Sequence, residues 1–212
     1  MYDSPDGPQV AAFFDLDRTL IEGFSAVEFA QERIIKREMS SGEMASQLTA
    51  LLMYATGSGN FASLAAVGAK GVKGAKQSDF MQFGEEVARK HLIKEIYPEA
   101  RALIAAHFAK GHTVCIVSAA TPYQVEPIAA ELGIEHVLCT RLEVVNGRLT
   151  GEIVPPACWG EGKAIQARTF AEANSVDLAQ SYFYTDSHDD LELLDIVGKP
   201  RPINPDKELS AL

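Results

Sequence analysis

Four aspartates at two separated points of this 212-residue chain are the residues whose types and spacing suit chemistry. Asp15 and Asp17 lie in Phe13-Phe14-Asp15-Leu16-Asp17-Arg18-Thr19; Asp186 and Asp190 lie in Tyr184-Thr185-Asp186-Ser187-His188-Asp189-Asp190. Two residues apart in extended chain, Asp15 and Asp17 leave the backbone on one face. One of such a pair can attack as a nucleophile and carry a phosphoryl group, which divides a hard hydrolysis into two easier steps. The other can protonate the leaving oxygen and then take a proton from the attacking water. A pair of loop aspartates capping the next turn is the plainer alternative, and the motif alone does not choose. Carboxylates gathered in one crevice repel one another by roughly 4 kcal/mol per close pair at an effective dielectric of about 20. A divalent cation removes that objection. Hard oxygen ligands suit Mg²⁺, which takes one or two carboxylates, several waters and a substrate phosphate. The chemistry indicated is phosphoryl transfer.

Two further positions fit. Ser118 ends the apolar run 113–117, where its hydroxyl and the following backbone N–H groups, beginning at Ala119, can hold phosphate oxygens. A serine at a strand end is ordinarily a turn residue, so alone it says little. Lys163 follows Gly160-Glu161-Gly162 into a helix N-terminus, itself an anion site, where its charge can neutralise phosphate and Asp15 together. Without company it would read as a solvated lysine.

Those residues must be positioned by strands. Val10-Ala11-Ala12-Phe13-Phe14 and Tyr182-Phe183-Tyr184 read as strands buried on both faces, which belong to parallel sheets, and such sheets bind ligands beyond the carboxyl ends of their strands. From residue 97 onward helix and strand alternate. Ala100, Leu103, Ile104, His107 and Phe108 share a helix face that stops at Gly111. Val125, Ile128, Ala129 and Leu132 mark a second helix, with Pro127 implying a kink or a late start. Asn146-Gly147 between apolar runs predicts a hairpin. Helices are expected over about 163–173 and 191–196, then an edge strand carrying Pro200 and Pro202. Residues 24–96 show no clear strand. Helix-period segments at 29–34, 44–52 and 80–91, punctuated by glycines 57, 59, 68, 71 and 74, predict a helical lid inserted after the first strand. The expected organisation is thus an α/β core of 10–23 and 97–212 with a parallel sheet, a helical cap of 24–96, and a flexible tail of 1–9.

Hydrophobic residues at 47% and charged residues at 23% are the balance of a globular protein long enough for one such domain with an insertion. No apolar run is long enough to span a membrane, and the first residues lack the basic and apolar regions of a signal peptide. Cys115, Cys139 and Cys158 are too few and scattered for a disulfide framework or a zinc site, so a reducing, cytoplasmic location is expected. The net charge of −10 argues against nucleic acid as a partner. A monomer or homodimer is expected.

The ordered set Asp15, Asp17, Thr19, then Ser118, Lys163, Asp186 and Asp190 resembles the four motifs of the haloacid dehalogenase superfamily of phosphatases, and specifically its phosphoserine-phosphatase-like branch with a small helical cap on a Rossmann-like core. The likeness spans nearly the whole chain, including the Asn146-Gly147 hairpin and the closing Asn204-Pro205-Asp206. It implies Asp15 as nucleophile and Asp17 as acid/base. It implies substrate contacts from Thr19, Ser118, Ala119 and Lys163. Mg²⁺ would be held by Asp15, Asp186 and the backbone carbonyl of Asp17, with Asp190 supporting it directly or through water.

Two departures stand out. Phosphoserine phosphatases usually carry a glutamate nine residues after the nucleophile, where it meets the substrate amine; this chain has Phe24 there, and Glu22 two residues earlier. The fourth motif usually reads Gly-Asp-Gly-x-Asn-Asp and here reads Thr-Asp-Ser-His-Asp-Asp. Phosphoserine is therefore doubtful as substrate, since an inward Phe24 would leave an ammonium unpaired. The expected function is Mg²⁺-dependent hydrolysis of a small phosphorylated metabolite through an aspartyl-phosphate. The alternatives are a phosphotransferase using the same intermediate and an idle binding protein on the same scaffold. Lys70, Lys73 and Lys76 form a basic patch read as a solvated face, or as a surface drawing in an anionic substrate; His188 is read as a bystander.

Overall fold

The computed structural model describes residues 4–55, 58 and 61–212. Its centre is β1 (Ala11–Phe14), whose continuous apolar sequence is buried on both faces. Parallel partners flank it: β2 (Thr113–Ser118) on one side and β6 (Tyr182–Thr185) on the other. Beyond them lie β3 (His136–Cys139) and β7 (Lys199–Pro202), giving the order β3-β2-β1-β6-β7. The chain winds outward from β1 through β2 to β3 and then crosses to β6. That reversal makes the carboxyl end of β1 the switch point at which such sheets bind ligands.

Alternation along the strands divides the interior in two. Ala12, Phe14, Ile116 and Tyr184 face α5 (Pro98–Ala109) and α6 (Pro122–Leu132), whereas Ala11, Phe13, Val117 and Phe183 face α7 (Glu161–Asn174) and α8 (Leu191–Leu194). β4 (Leu142–Val145) and β5 (Arg148–Ile153) form the hairpin signalled by Asn146-Gly147, both at positive φ as its turn requires.

Between β1 and β2 the described residues form α1 (Ser25–Ile35), α2 (Ser41–Ala55), α3 (Phe61–Gly71) and α4 (Gln77–Val87). The last widens into a π turn over Ala88–Leu92. Phe29, Phe80, Phe83 and Tyr123 pack their rings together and join this helical block to α6. Gly57 and Gly59 lie outside the described residues. Lys70, Lys73 and Lys76 are exposed. None of the described helices is long and apolar enough to cross a membrane.

In residues 4–9, Lys110 Nζ donates to Ser4 O (2.8 Å), His112 meets Pro5 O (2.9 Å), and Gly7 N donates to Lys110 O (2.9 Å). Pro127 neither delays nor ends α6. The helix starts at Pro122, with Gln124 reaching back to accept from Thr121 N (2.9 Å), and Gly84 packs against the Tyr123 carbonyl that Pro127 leaves without an i+4 donor. A Cβ on Gly84 would meet that oxygen at 2.2 Å. The segment holding Gly68 and Gly71 is helical, as α3, in keeping with the helical block expected there.

Candidate active site

Register gathers the motifs. Phe14 pairs with both Ile116 and Tyr184, so Asp15, Ser118 and Asp186 leave three adjacent strands within two residues of a common level. Asp15 N donates to Tyr184 O (2.9 Å), extending the ladder one residue past β1 before the chain departs.

Lys163, on the first turn of α7, is almost fully buried. Its Nζ lies 2.7 Å from Asp15 Oδ1 and 2.8 Å from Asp190 Oδ2. Thr185 Oγ1 also donates to Asp190 Oδ2 (2.5 Å), which fixes that carboxylate between two donors. Burial would lower the Lys163 ammonium, but Asp15 and Asp190 hold it above its ordinary value. Asp15 moves the other way from a simple ion pair: burial lifts it to about 7 despite Lys163, with Asp190 and Asp17 adding to the rise. One lysine charge is shared by two buried carboxylates, so it offsets the burial of Asp15 only in part. Asp186 is likewise pushed up to about 6 by burial, against the opposing charge of Arg18, whose NH1 is 3.3 Å from Oδ2.

Asp17 turns toward the helical block. Its Oδ1 accepts from Ser25 N (2.7 Å) and its Oδ2 from Ser25 Oγ (3.3 Å). Ser25 is the first residue of α1, so the carboxylate satisfies a free N–H of the helix start. Burial raises Asp17 above the ordinary carboxylate range, while those two bonds pull it down. Ser118 is buried at the end of β2, and its Oγ accepts from Ala120 N (3.1 Å), which shapes the 119–121 turn. Thr19 Oγ1 is buried without a hydrogen-bond partner. A buried hydroxyl of that kind needs an acceptor or donor the polypeptide does not supply.

Glu22 and Phe24 are not brought into the crevice. Both are exposed; Phe24 stacks under the Arg18 guanidinium (5.9 Å to the ring centre), and Glu22 N donates to Glu95 O (2.9 Å). Gly23, at φ +78°, turns the chain so that Ser25 rather than Phe24 meets Asp17.

Four contributors went unread in the sequence: Arg18, Ser25, Thr185 and Asp206. Asp206 N donates to Asp186 O (2.7 Å), and its Oδ2 accepts from His188 N (2.9 Å), pinning the loop after β6. Burial raises Asp206 but the bonds from Leu209 and His188 carry it below its ordinary value; that bond to Asp206 raises His188. Ser25 at a helix start and Thr185 at a strand end were visible, but only as caps.

The donor set fits a hard divalent cation. Four carboxyls, of Asp15, Asp17, Asp186 and Asp190, face two cations, Lys163 and Arg18. Asp15, Asp186 and Asp190 do not bring three carboxylate oxygens within 4.8 Å of one another. That spacing suits an ion holding few protein carboxylates and several other oxygens.

Residues 12–195 match the haloacid dehalogenase-like hydrolase family. The chain is 32% identical over 207 residues to a Mycobacterium tuberculosis protein named as a phosphoserine phosphatase, covering 95% of this chain and 67% of that protein. It is 28% identical over 203 residues to a histidinol-phosphatase of Neisseria meningitidis, covering 93% and 91%. A crystal structure of a Bordetella pertussis protein of unknown function superposes with a TM-score of 0.88 at 25% identity, covering 96% of this chain and 94% of that one.

Proposed function

The chain belongs to the haloacid dehalogenase-like hydrolases, and from that membership we propose that it is a Mg²⁺-dependent phosphomonoester hydrolase that carries the phosphoryl group on Asp15. The observation that supports this best is the shared Lys163. It holds Asp15 Oδ1 and Asp190 Oδ2 together and leaves Asp15 Oδ2 outside the pair as the attacking atom. Attack of Oδ2 on phosphorus forms the Asp15–phosphoryl bond as the ester P–O bond breaks. Asp17, kept protonated more readily by its burial, gives its proton to the leaving alcohol oxygen. In the second half-reaction Asp17 takes a proton from water as the water oxygen attacks phosphorus; the Asp15–phosphorus bond breaks, inorganic phosphate leaves and the Asp15 carboxylate is restored. Lys163, Ser118 Oγ and the N–H groups after it serve the phosphate oxygens, and Thr19 Oγ1 gains the partner it lacks. Asp15, Asp186 and the Asp17 carbonyl would hold the Mg²⁺, with Asp190 beside them; bound, it neutralises charge on the transferring phosphoryl group.

The four-helix block over residues 24–96 acts in this reading as the cap. Asp17 is bonded to the first residue of α1, so cap placement and acid/base orientation are set together. The test is release of phosphate from a chromogenic aryl phosphate: turnover with Mg²⁺ that disappears in excess chelator supports the reading. Full turnover in chelator after metal stripping opposes it.

A further inference from the structure

The side of the crevice that must receive the alcohol is apolar. Asp17 protonates the leaving oxygen in the function proposed above, on which this inference rests, so the alcohol's carbon atoms lie on the Asp17 side of phosphorus. A cavity of about 450 Å³ begins there, lined at that end by Asp17, Ala119 and Ala120. It continues between α1, α2 and α3 along walls that include Phe29, Met44, Leu64, Val72 and Phe80. Exposed Val27, Ile34 and Leu48 form its outer rim.

Most of its polar groups are paired with one another or with neighbours; the exposed Gln31 amide, toward the rim, is left free among the described residues. Arg33 is paired with Glu43 (2.7 Å) and donates to Gly71 O (3.2 Å). Gln124 is occupied by Thr121 and Ser25, and Thr140 Oγ1 accepts from Cys158 N (3.0 Å). Asp17 is the one carboxylate in the lining, and Ser25 already holds both its oxygens. Among the described lining residues the inner walls are apolar, Gln31 and Gln47 being the amides beside them, and a polar moiety buried against such walls without partners is rejected strongly. Glu22 and Phe24 do not line the cavity.

We propose that the substrate is a phosphate monoester of a long-chain apolar alcohol, with its hydrocarbon tail in this cavity and its phosphate at Asp15. An apolar cavity of about 150 Å³ holds benzene. Three times that volume has room for a chain of roughly a dozen carbons. Hydrolysis breaks the P–O bond, sends the Asp17 proton to the alcohol oxygen and releases the long-chain alcohol past the rim.

The experiment measures kcat/KM with Mg²⁺ for straight-chain alkyl phosphates from ethyl to dodecyl, below their micelle concentrations. Phosphoserine and histidinol phosphate serve as ammonium-bearing comparators, and a chromogenic aryl phosphate reports basal phosphatase chemistry. Each added methylene should raise kcat/KM about fourfold until the cavity fills, and the two ammonium esters should fall below alkyl esters of similar length. Gly68 lines the cavity from α3, and a Cβ there meets nothing within 4 Å, so Gly68→Leu can begin a side chain there and put bulk beside the cavity. It should cut the dodecyl-to-ethyl ratio by at least about tenfold, the worth of a few methylenes. Inhibition of the wild type by decylphosphonate against methylphosphonate gives the same comparison without a variant. A flat chain-length series, a preference for phosphoserine or histidinol phosphate, or equal inhibition by both phosphonates overturns the tail assignment while aryl phosphate turnover leaves the phosphatase reading standing. No turnover of any ester overturns that reading and this one with it.

Discussion

Replacing Lys163 by methionine keeps the length of the stem and removes one charge from between two buried carboxylates. Breaking a buried pair by removing one partner costs about 3–5 kcal/mol, because the other charge is left uncompensated. Here two are left, Asp15 and Asp190, each within 2.8 Å of the lost ammonium. The cost must depend on pH. Asp15 titrates at about 7 in the folded wild type against an ordinary 3.8, so the folded protein holds that proton longer than the unfolded one. The stability this contributes is complete below about pH 4 and is lost as pH rises through about 7. Without Lys163 the folded value climbs further. The variant should therefore be about 3–5 kcal/mol less stable than wild type near pH 8 and recover part of that deficit near pH 5.5, where Asp15 is protonated. Urea unfolding in chelator, followed by circular dichroism at both pH values, reads the difference. Added Mg²⁺ should restore part of the loss near pH 8. A variant as stable as wild type near pH 8, or a deficit independent of pH, refutes the charge-sharing argument.

Other substitutions and conditions probe separate parts of the site. Ser25→Pro removes the N–H that Asp17 Oδ1 accepts, at a helix position and after an extended residue where proline is tolerated. It should lower kcat by about 10–100-fold, the worth of a charge-assisted bond, and move the alkaline limb of the pH profile, set by the protonated acid, upward; an unchanged kcat would show that Ser25 does not orient the acid. Ca²⁺ should bind yet support little turnover, since its looser six-to-eight-oxygen shell spoils in-line geometry, and equal rates with both ions would count against the octahedral site. His107, fully buried, is lowered to about 4 by burial and by His112. It therefore stays neutral when folded, and stability is lost as pH falls from about 6.5 to 4, by about 3 kcal/mol. The stability gap between wild type and His107→Phe should shrink across that window, and a constant gap would contradict the assignment.

The candidate site was readable in the sequence because central parallel strands are buried on both faces. Ala11–Phe14 and Tyr182–Thr185 carry apolar runs that end abruptly at carboxylates, so strand end and chemistry share one signal. β3 has no such signal: His136–Cys139 is short, half-buried and polar at its start, as an edge permits. α3 was hidden by glycines that serve packing. A Cβ on Gly71 would meet Glu43 Oε1 at 2.4 Å, so the residue that weakens the helix pattern is the one that admits the Arg33–Glu43 pair. The side on which the chain leaves Gly23 decides whether Phe24 or Ser25 faces Asp17. That is a backbone choice made by the packing of α1, and no spacing rule reaches it. The apolar cavity was equally unreadable, because it is assembled from three helices and a turn far apart in sequence.

The account stands or falls on Asp15 as the phosphoryl carrier. Wild-type protein mixed with an aryl phosphate and Mg²⁺, quenched rapidly in acid and digested, should yield one phosphoryl group on the peptide containing Asp15. Asp15→Asn should show neither adduct nor turnover, and near pH 8 in chelator it should be at least as stable as wild type, because it removes one poorly compensated buried charge of the kind P–O chemistry requires but folding does not. Turnover by Asp15→Asn near the wild-type rate, or a phosphoryl group trapped on another residue, would contradict it.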